Sequence, residues 1–427
     1  MIQTITPSKG LKGSVTVPGD KSISHRALMI SAIAAGKSEI EGISAAADPV
    51  STRQCLASLG VEIAEKGEIL TVEGKGLRGL RAPVSVLDAG NSGTTMRLLS
   101  GILVGQSFPS EITGDESLRS RPMQRVIEPL TLMGASIRGS DRSTAPLQIK
   151  PVSRLHPIRY QMPIASAQVK SAILFAGLYA DEITTVVEKV PTRDHTERML
   201  GLEVGREEEK RVIQVQGGMK IEGKKYVVPG DISSAAFLLS AALLIPQSEV
   251  MVRNVGLNPT RTAVLDVFRQ MGGSIELINR KEVAGEPLGD IVARFSELST
   301  SFELKGARVA ALIDEIPILA VTAAFAKGLF VVRDAQELRA KESDRIKAIV
   351  TNLRTLGVDV EEYDDGFAFE GKQELHGAEI ESFGDHRIAM ALAVAGLRTR
   401  GGVKVRGAEC VDISFPGFWE ILKKLEA

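Results

Sequence analysis

The chain has 427 residues, with 52 lysines and arginines against 53 aspartates and glutamates. This length exceeds what one hydrophobic core usually serves, so it predicts two domains of roughly 200 residues each. The formal net charge of −1 argues against a nucleic-acid partner and against a basic, membrane-binding face. The N-terminal sequence lacks the pattern of a signal peptide, and no apolar run reaches the roughly 20 residues of a membrane span. The two cysteines show neither metal nor redox spacing. These features predict a cytoplasmic protein.

The first distinctive stretch is Val17-Pro-Gly-Asp-Lys-Ser-Ile-Ser-His-Arg26, followed by a run of small apolar residues. Proline and glycine end a strand here, and Asp20 or Ser22 can cap the helix that follows. A helix N-terminus flanked by Lys21 and Arg26 favours an anion. An ordinary capped helix with a solvated lysine explains a single copy equally well.

The stretch recurs, because Val228-Pro-Gly-Asp231 repeats its start and looser copies follow the same plan. Each copy has a polar residue before a small-residue helix and then a strand. A second repeated element is a helix that ends in Leu-Gly or Met-Gly and returns as a strand. The pattern predicts six units of roughly 70 residues, each reading strand, helix, strand, helix, strand, strand. The polar anchors of these units are Asp20, Asn91, Ser166, Asp231, Asp314 and Asp385.

Six units divide into two sets of three, and the two Val-Pro-Gly-Asp copies mark equivalent points. The sequence therefore predicts one domain over 21–227 and a second over 228–427 with 1–20 added back, joined by a hinge near 17–21 and 227–231. If the first helices of all units share one orientation, their N-termini converge. We expect such a convergence to form an anion-binding cleft.

Arginine, lysine and serine are concentrated near these helix starts. Guanidinium groups match phosphate and carboxylate oxygens, and Gly90 and Gly93 would let the backbone approach an anion closely. The alternatives are a solvated face for the arginines of 119–125 and surface ion pairs over 341–345. The five histidines lack paired ligand spacing, so no metal site is predicted. A P-loop spacing is absent, which argues against a nucleotide triphosphatase.

The chain resembles the 5-enolpyruvylshikimate-3-phosphate synthase family over its full length. The resemblance implies an α/β fold, a two-domain inside-out α/β barrel with three βαβαββ repeats in each domain, that closes around its ligands. It implies transfer of the enolpyruvyl group of phosphoenolpyruvate to the 5-hydroxyl of shikimate 3-phosphate, with release of phosphate, in the shikimate pathway. No metal or organic cofactor is implied. The motifs that carry the resemblance are Gly19-Asp-Lys-Ser-Ile-Ser-His-Arg26, Asn91-Ser-Gly-Thr-Thr-Met-Arg97, Arg121-Pro-Met123, Ser166-Ala-Gln168, Lys341-Glu-Ser-Asp-Arg345 and Gly384-Asp-His-Arg387.

The resemblance also implies roles for individual residues of these motifs. Those implied to bind shikimate 3-phosphate are Lys21, Ser22, Arg26, Ser166, Ala167, Gln168, Arg193, Asp314 and Lys341. Those implied to bind phosphoenolpyruvate are Lys21, Gly93, Arg121, Gln168, Arg345 and Arg387. Supporting positions are Asn91, Thr94, Arg97, Asp385 and His386.

As a hypothesis for catalysis, Asp314 takes the proton of the attacking hydroxyl and Glu342 delivers one to the methylene carbon of phosphoenolpyruvate. Lys21 and the arginines then stabilise the tetrahedral intermediate and the departing phosphate. Because Glu342 must be protonated for this step, we expect desolvation to raise its pKa. Which group dominates proton delivery stays open.

Three stretches resemble the second class of the family, which is associated with tolerance to the inhibitor glyphosate. They are Ser166-Ala-Gln-Val-Lys170, Arg193-Asp-His-Thr-Glu197 and Asn258-Pro-Thr-Arg261. Gly93, in contrast, is the residue of the sensitive form, and Ile413 stands where the sensitive class has a lysine. Glyphosate is therefore an expected ligand whose strength of inhibition stays open.

Three alternatives remain at this level. A sister enolpyruvyl transferase acts on a UDP-sugar and typically uses a loop cysteine as acid, whereas Cys55 lies in a predicted helix and Cys410 near the C-terminus. A non-catalytic phosphate-binding module would not require both Asp314 and Glu342. An RNA-end-processing relative is disfavoured because aromatic residues make up 4% of the chain and RNA recognition relies on stacking. The family expectation is a monomer.

Overall fold

The computed structural model describes residues 1–371 and 374–426 of the chain. The strands are β1 (Ile2–Ile5), β2 (Lys12–Thr16), β3 (Ala35–Glu41), β4 (Glu62–Lys66), β5 (Ile69–Lys75), β6 (Leu87–Asp88), β7 (Ser110–Thr113), β8 (Ser136–Arg138), β9 (Leu147–Lys150), β10 (Arg159–Gln161), β11 (Ile183–Glu188), β12 (Glu203–Glu207), β13 (Lys210–Gln216), β14 (Lys225–Val227), β15 (Glu249–Gly256), β16 (Ser274–Val283), β17 (Glu286–Arg294), β18 (Phe302–Leu304), β19 (Leu329–Val332), β20 (Val360–Tyr363), β21 (Gly366–Glu370), β22 (His376–Glu381) and β23 (Arg400–Arg406).

The helices lie between these strands, and two 3-10 helices cover Gln336–Ala340 and Ala408–Ile413. The α-helices are α1 (Lys21–Ile33), α2 (Ala47–Ser58), α3 (Gly93–Leu103), α4 (Glu116–Ser120), α5 (Gln124–Leu132), α6 (Ala167–Gly177), α7 (His195–Leu200), α8 (Ile232–Leu244), α9 (Ala263–Gln270), α10 (Ala307–Leu312), α11 (Ile316–Ala324), α12 (Arg345–Thr355), α13 (His386–Arg398) and α14 (Phe418–Leu425). Over 1–371 and 374–426, no helix has both the length and the apolar character that a membrane crossing requires.

The chain forms two compact units. The N-unit comprises Gly19–Val228 and Glu282–Glu286, and the C-unit comprises Met1–Pro18, Pro229–Lys281 and Pro287–Ala427. The chain passes from one unit to the other between residues 18 and 19 and between 228 and 229, within the two predicted hinge segments.

One short segment groups differently from the predicted boundaries, which assign 282–286 to the second domain. This segment belongs to the N-unit because its side chains and backbone bond to α7. The imidazole Nδ1 of His195 lies 2.8 Å from a carboxylate oxygen of Glu286, and both side chains are buried. Arg198 donates a hydrogen bond to the carbonyl of Gly285. The sequence pattern carries no signal for such a long-range contact.

In the part of the chain that the structure describes, each unit contains three small mixed sheets. Every sheet has a parallel pair followed by an antiparallel neighbour. The strand orders in the N-unit are β14-β3-β5-β4, β6-β7-β9-β8 and β10-β11-β13-β12. Those in the C-unit are β2-β15-β17-β16, β18-β19-β21-β20 and β22-β23-β1. The sixfold repeat predicted from the sequence is therefore present in the sheets.

Small-residue helices form the core of each unit: α1, α3 and α6 in the N-unit, and α8, α11 and α13 in the C-unit. All residues of α8 and of α11 are buried, which fits helices that are apolar on every face. Small side chains let neighbouring helix backbones approach closely. A Cβ atom added at Gly101 of α3 would lie 2.2 Å from the carbonyl oxygen of Ala172 on α6.

Side-chain caps begin five of these six helices among the described residues. The capping residues are Asp20, Ser92, Ser166, Asp231 and Asp385. The predicted anchors Asn91 and Asp314 each lie one residue before the N-cap position, which is Ser92 in α3 and Glu315 in α11. Glu315 occupies that N-cap position without a side-chain cap bond. Pro317 in the first turn of α11 has no N–H group, which reduces the need for a cap.

Candidate active site

The start of α1 carries two predicted anion-binding cations. Nζ of Lys21 lies 2.9 Å from Oδ2 of Asp48, and its side chain is 32% exposed. Arg26, one turn further on, is almost fully buried and donates from Nε to Oγ1 of Thr196 at 2.7 Å. Burial is the main cause that lowers the pKa of Arg26 to about 10. Arg26 therefore stays charged at neutral pH while its position is fixed.

The first turns of α3 and α6 are joined by side-chain hydrogen bonds. Arg97 donates to Oε1 of Gln168 at 2.8 Å, and the amide nitrogen of Gln168 donates to Oγ1 of Thr94 at 2.9 Å. Burial, together with the charges of Arg121 and Arg125, lowers the pKa of Arg97 to about 10. The starts of two repeated units thus meet at one place, as the sequence predicted for the helix N-termini.

Arg121 belongs to the same cluster. Its guanidinium donates to Oδ1 of Asn91 at 2.8 Å and to Oγ of Ser117 at 3.2 Å. Asn91 in turn donates to Asp115 at 2.7 Å, so both ends of its amide are engaged. Arg119 is exposed, as expected of a residue on a solvated face. Arg121 is partly buried, and these hydrogen bonds fix the orientation of its side chain.

Arg193 lies in the segment between β11 and α7. The charge of Arg193 contributes to lowering the pKa of Arg26. Ser166 caps α6 through its hydroxyl, and Ser166, Ala167 and Gln168 are all partly exposed. The predicted site residues at the starts of the core helices of the N-unit are Lys21, Ser22, Arg26, Asn91, Gly93, Thr94, Arg97, Ser166, Ala167 and Gln168. Arg121 bonds to Asn91, and Arg193 precedes α7.

The C-unit gathers three cations around one carboxylate, Asp314. Oδ1 of Asp314 lies 3.6 Å from the guanidinium of Arg345 and 4.0 Å from Nζ of Lys341. Its Oδ2 lies 3.9 Å from Arg387, which also donates to the main-chain carbonyl of Asp314 at 3.0 Å. A carboxylate held among three cations can accept a proton from a substrate hydroxyl while anions bind to the same cations.

Arg345 is buried among carboxylates. Its Nε lies 2.8 Å from Asp385 and its NH2 lies 2.6 Å from Glu342. Burial alone lowers the pKa of Arg345, but Glu342, Asp385 and Asp314 outweigh it and raise the pKa above its ordinary value. The Glu342 side chain is 34% exposed. His386 is buried at the start of α13, and Ile413 is exposed in a 3-10 helix.

Sequence reasoning missed several buried partners of these residues. In the C-unit, Arg261 donates to Oγ of Ser233 at 2.9 Å, and that hydroxyl donates to Glu315, which is itself 3.9 Å from Arg387. In the N-unit, the buried Lys170 forms ion pairs with Glu188 and Glu197. Lys170 and Arg261 both belong to motifs identified in the sequence, but those motifs did not predict that the two side chains would be buried against carboxylates. Over the described residues, no group of three or more potential ligands is placed to hold a metal ion.

Comparison with known proteins gives a consistent result. The family model described as EPSP synthase (3-phosphoshikimate 1-carboxyvinyltransferase) matches residues 5–422. A relative from Geobacter metallireducens, named 3-phosphoshikimate 1-carboxyvinyltransferase, is 49% identical over 429 residues, covering 99% of both chains. A relative of the same name from Pelobacter propionicus is 50% identical over 423 residues, covering 99% of this chain and 98% of the relative.

Solved structures agree with the sequence relatives. The EPSP synthase of Acinetobacter baumannii superposes with a TM-score of 0.90 at 44% identity, covering 100% of this chain and 98% of that one. The enolpyruvyl transferase NikO from Streptomyces tendae reaches a TM-score of 0.79 at 17% identity, covering 99% and 97%, which is a likeness of fold alone. Because the family model matches residues 5–422 and these relatives are 49% and 50% identical to the chain, the chain belongs to the EPSP synthase family.

Proposed function

We propose that this chain is an enzyme that transfers the enolpyruvyl group of phosphoenolpyruvate to the 5-hydroxyl of shikimate 3-phosphate, releasing phosphate. The reaction belongs to the shikimate pathway and so to aromatic amino acid biosynthesis. The observation that carries the proposal is Asp314 among Lys341, Arg345 and Arg387, in a chain of this family. That arrangement combines a proton acceptor with a dense set of cations for two anionic substrates.

For shikimate 3-phosphate, the N-unit supplies Lys21, Ser22, Arg26, Ser166, Ala167, Gln168 and Arg193, and the C-unit supplies Asp314 and Lys341. The fixed guanidinium of Arg26 and the positive charge of Arg193 acting on it support a phosphate contact there, because guanidinium groups suit a dianion. For phosphoenolpyruvate, the residues are Lys21, Gly93, Arg121, Gln168, Arg345 and Arg387. The supporting residues Asn91, Thr94, Arg97, Asp385 and His386 orient these groups.

In the reaction, Asp314 accepts the proton of the 5-hydroxyl as that oxygen attacks C2 of phosphoenolpyruvate. Glu342 donates a proton to the methylene carbon, which gives a tetrahedral ketal phosphate. The intermediate then loses phosphate, and the carboxylate of Glu342 takes up a proton from the methyl group. Lys21 and the arginines stabilise the negative charge. Glu342 is paired with Arg345 at 2.6 Å, which favours its charged form, so substrate must draw Arg345 away before Glu342 can donate.

Further properties follow from the same family membership. We propose that the enzyme works as a cytoplasmic monomer, that it needs no metal or organic cofactor, and that glyphosate competes for the phosphoenolpyruvate site. We also propose that the segments near 17–21 and 227–231 act as a hinge, so that residues of both units act on one pair of substrates.

The test is phosphate release with shikimate 3-phosphate and phosphoenolpyruvate, together and singly, repeated across a glyphosate titration. We expect release with both substrates only, and a loss of turnover of at least a hundredfold in Asp314→Ala, since a positioned base contributes about 10²–10⁴ in rate. Failure of the wild type to release phosphate with both substrates would reject the enzyme and favour a phosphate-binding module. Near-normal turnover of Asp314→Ala would reject the base.

The alternative is an enolpyruvyl transferase that acts on a UDP-sugar. Cys55, one of two cysteines, lies buried in α2, where burial raises the pKa of its thiol to about 12. A buried thiol in a helix is a poor proton donor to substrate. Phosphate release with a UDP-sugar in place of shikimate 3-phosphate would revive this alternative.

A further inference from the structure

A lysine with no assigned role lies at the centre of the N-unit. Lys170 is in the first turns of α6, two residues after Gln168, and its side chain is fully buried. Its Nζ lies 2.9 Å from Oε1 of Glu188 and 2.7 Å from Oε1 of Glu197, and these side chains are 1% and 2% exposed. Isolated buried charges are very costly, so the three groups require one another.

The two carboxylates mark the ends of the segment that carries Arg193. Glu188 is the last residue of β11, and Glu197 lies in α7. One buried ammonium therefore fixes both ends of segment 188–197. Within that segment, the hydroxyl of Thr192 also bonds to Glu188.

The residue after Lys170 and the residue before Glu197 both bind the guanidinium of Arg26. Ser171 accepts from Arg26 at 2.8 Å, and Thr196 accepts from Arg26 at 2.7 Å. The two hydroxyls lie 2.7 Å apart. The ion cluster and this hydroxyl pair are thus neighbours along both α6 and α7, so a displacement of Glu197 also displaces a partner of Arg26.

We propose that Lys170 is a positioning residue for the phosphate of shikimate 3-phosphate. It joins α6, which carries Ser166 and Gln168, to the segment that carries Arg193 and to the partners of Arg26. This inference rests on the proposed function, because it concerns the same substrate.

Removal of the ammonium leaves two buried carboxylates near each other. Glu188 retains a second cation, since its Oε2 lies 3.8 Å from Arg211. Like charges in a dry site either take up a proton or move apart. Either response shifts segment 188–197, and Arg193 shifts with it. Of the residues proposed for phosphoenolpyruvate, Gly93 and Arg121 lie on other elements, and Gln168 is held by Arg97 and Thr94 of α3. The effect is therefore selective for shikimate 3-phosphate.

The test compares Lys170→Met with Lys170→Arg and with Lys189→Met, which removes an exposed lysine from the same segment. We expect Lys170→Met to raise the KM for shikimate 3-phosphate at least tenfold and to change the KM for phosphoenolpyruvate less than threefold. We expect Lys170→Arg to recover most of this loss and Lys189→Met to behave as the wild type. Calorimetric titration of shikimate 3-phosphate without phosphoenolpyruvate gives the same comparison without turnover.

A purely structural role predicts a smaller active fraction, with a lower kcat and an unchanged KM for shikimate 3-phosphate, and that result overturns the inference. If Lys170→Met does not fold, Lys170→Gln/Glu197→Gln removes one charge of each sign and must show the same selective rise in KM. An inactive wild type would reject the proposed function itself. An active wild type with unselective variants would reject the role of Lys170 alone.

Discussion

Gly93 is in the first turn of α3, where a side chain has little room. A Cβ atom there would lie 2.6 Å from a guanidinium nitrogen of Arg97 and 3.7 Å from one of Arg121. Because the obstructing atom ends a flexible side chain, Gly93→Ala should fold and instead push Arg97 away from Gln168. Losing a hydrogen bond to a charged group costs about 1.5–3 kcal/mol, so we expect the KM for phosphoenolpyruvate to rise by about tenfold or more.

The matched control for Gly93→Ala is Gly205→Ala, where an added Cβ meets nothing within 4 Å. Steady-state kinetics with each substrate varied in turn provide the measurement, and a glyphosate titration on the same variants tests whether the inhibitor loses more affinity than the substrate. An unchanged KM for phosphoenolpyruvate in Gly93→Ala would mean that Arg97 does not position Gln168 for this substrate.

The burial of His25 predicts that the stability of the fold depends on pH. It is fully buried on α1 with Nδ1 2.7 Å from Thr52, whose hydroxyl lies 2.7 Å from Thr95. Burial is the main cause that lowers its pKa from 6.5 to about 3. Between these values the unfolded chain binds more protons, so the stabilising contribution is present above pH 6.5 and is lost as the pH falls. From pH 7 to pH 5 the loss amounts to about 2 kcal/mol.

Urea denaturation followed by circular dichroism at pH 7, 6 and 5 measures this loss. His25→Asn can keep a bond to Thr52 but does not titrate, so its stability should fall less steeply than that of the wild type. His156→Asn, which changes an exposed histidine, should follow the wild type. Parallel curves for the wild type and His25→Asn would contradict a neutral, buried His25.

At the scale of elements, the start of α8 depends on a buried arginine from the segment before α9. Arg261 is 5% exposed, and its NH2 lies 3.2 Å from Asp231, the N-cap of α8. Removing one member of a buried ion pair costs about 3–5 kcal/mol, so we expect Arg261→Met to lower the free energy of unfolding by about that much. Arg269→Met, on the exposed side of α9, should change it by less than about 0.5 kcal/mol.

Chemical denaturation of both arginine variants measures the difference, and Arg261→Lys separates charge from geometry. A lysine keeps the charge, but its single ammonium nitrogen lacks the planar fork of the guanidinium, so its loss should be intermediate. Equal stabilities of Arg261→Met and Arg269→Met would show that Asp231 caps α8 without help from Arg261.

The elements also show what local patterns can and cannot predict. The helix expected after Ser166 is α6, because caps and apolar spacing act within a few residues. The pairing of Lys170 with Glu188 and Glu197 was not predicted, since nothing local distinguishes a buried ion pair from a solvated one. Asp314 was predicted as a polar anchor because it fits the period of the repeat, and Glu315 occupies the N-cap position of α11.

At the scale of the whole molecule, the repeat was predictable because each unit repeats the same local signals. The grouping of residues 282–286 with the N-unit was not, because it depends on contacts between residues far apart in the sequence, such as Glu286 with His195 and Gly285 with Arg198. Site residues were found through short motifs, each of which folds around its own helix start. The residues that bond to these site residues come from distant positions in the sequence, and no local motif predicts them.

The hinge proposal makes a prediction for the whole molecule. The chain passes between its units at 18/19 and at 228/229, each time within a Val-Pro-Gly-Asp sequence, and twice more around the short segment 282–286. Gly19 cannot be replaced without strain, since a Cβ there would lie 2.0 Å from the carbonyl oxygen of Gly42. If the hinge proposal is right, the anionic substrates bind to cations of both units, so binding should favour a more compact molecule. We expect the radius of gyration from small-angle X-ray scattering to fall when both substrates bind.

The Asp314→Asn variant suits this measurement, because without the base the two substrates should stay bound unreacted. Phosphoenolpyruvate alone and inorganic phosphate at the same ionic strength serve as controls, and neither should reproduce the full change. Scattering that is identical with and without saturating substrates would contradict closure, even if phosphate release confirmed the reaction. In that case the residues of the two units would have to act on the substrates without a change of the overall dimensions, and the Pro-Gly segments would be rigid connections.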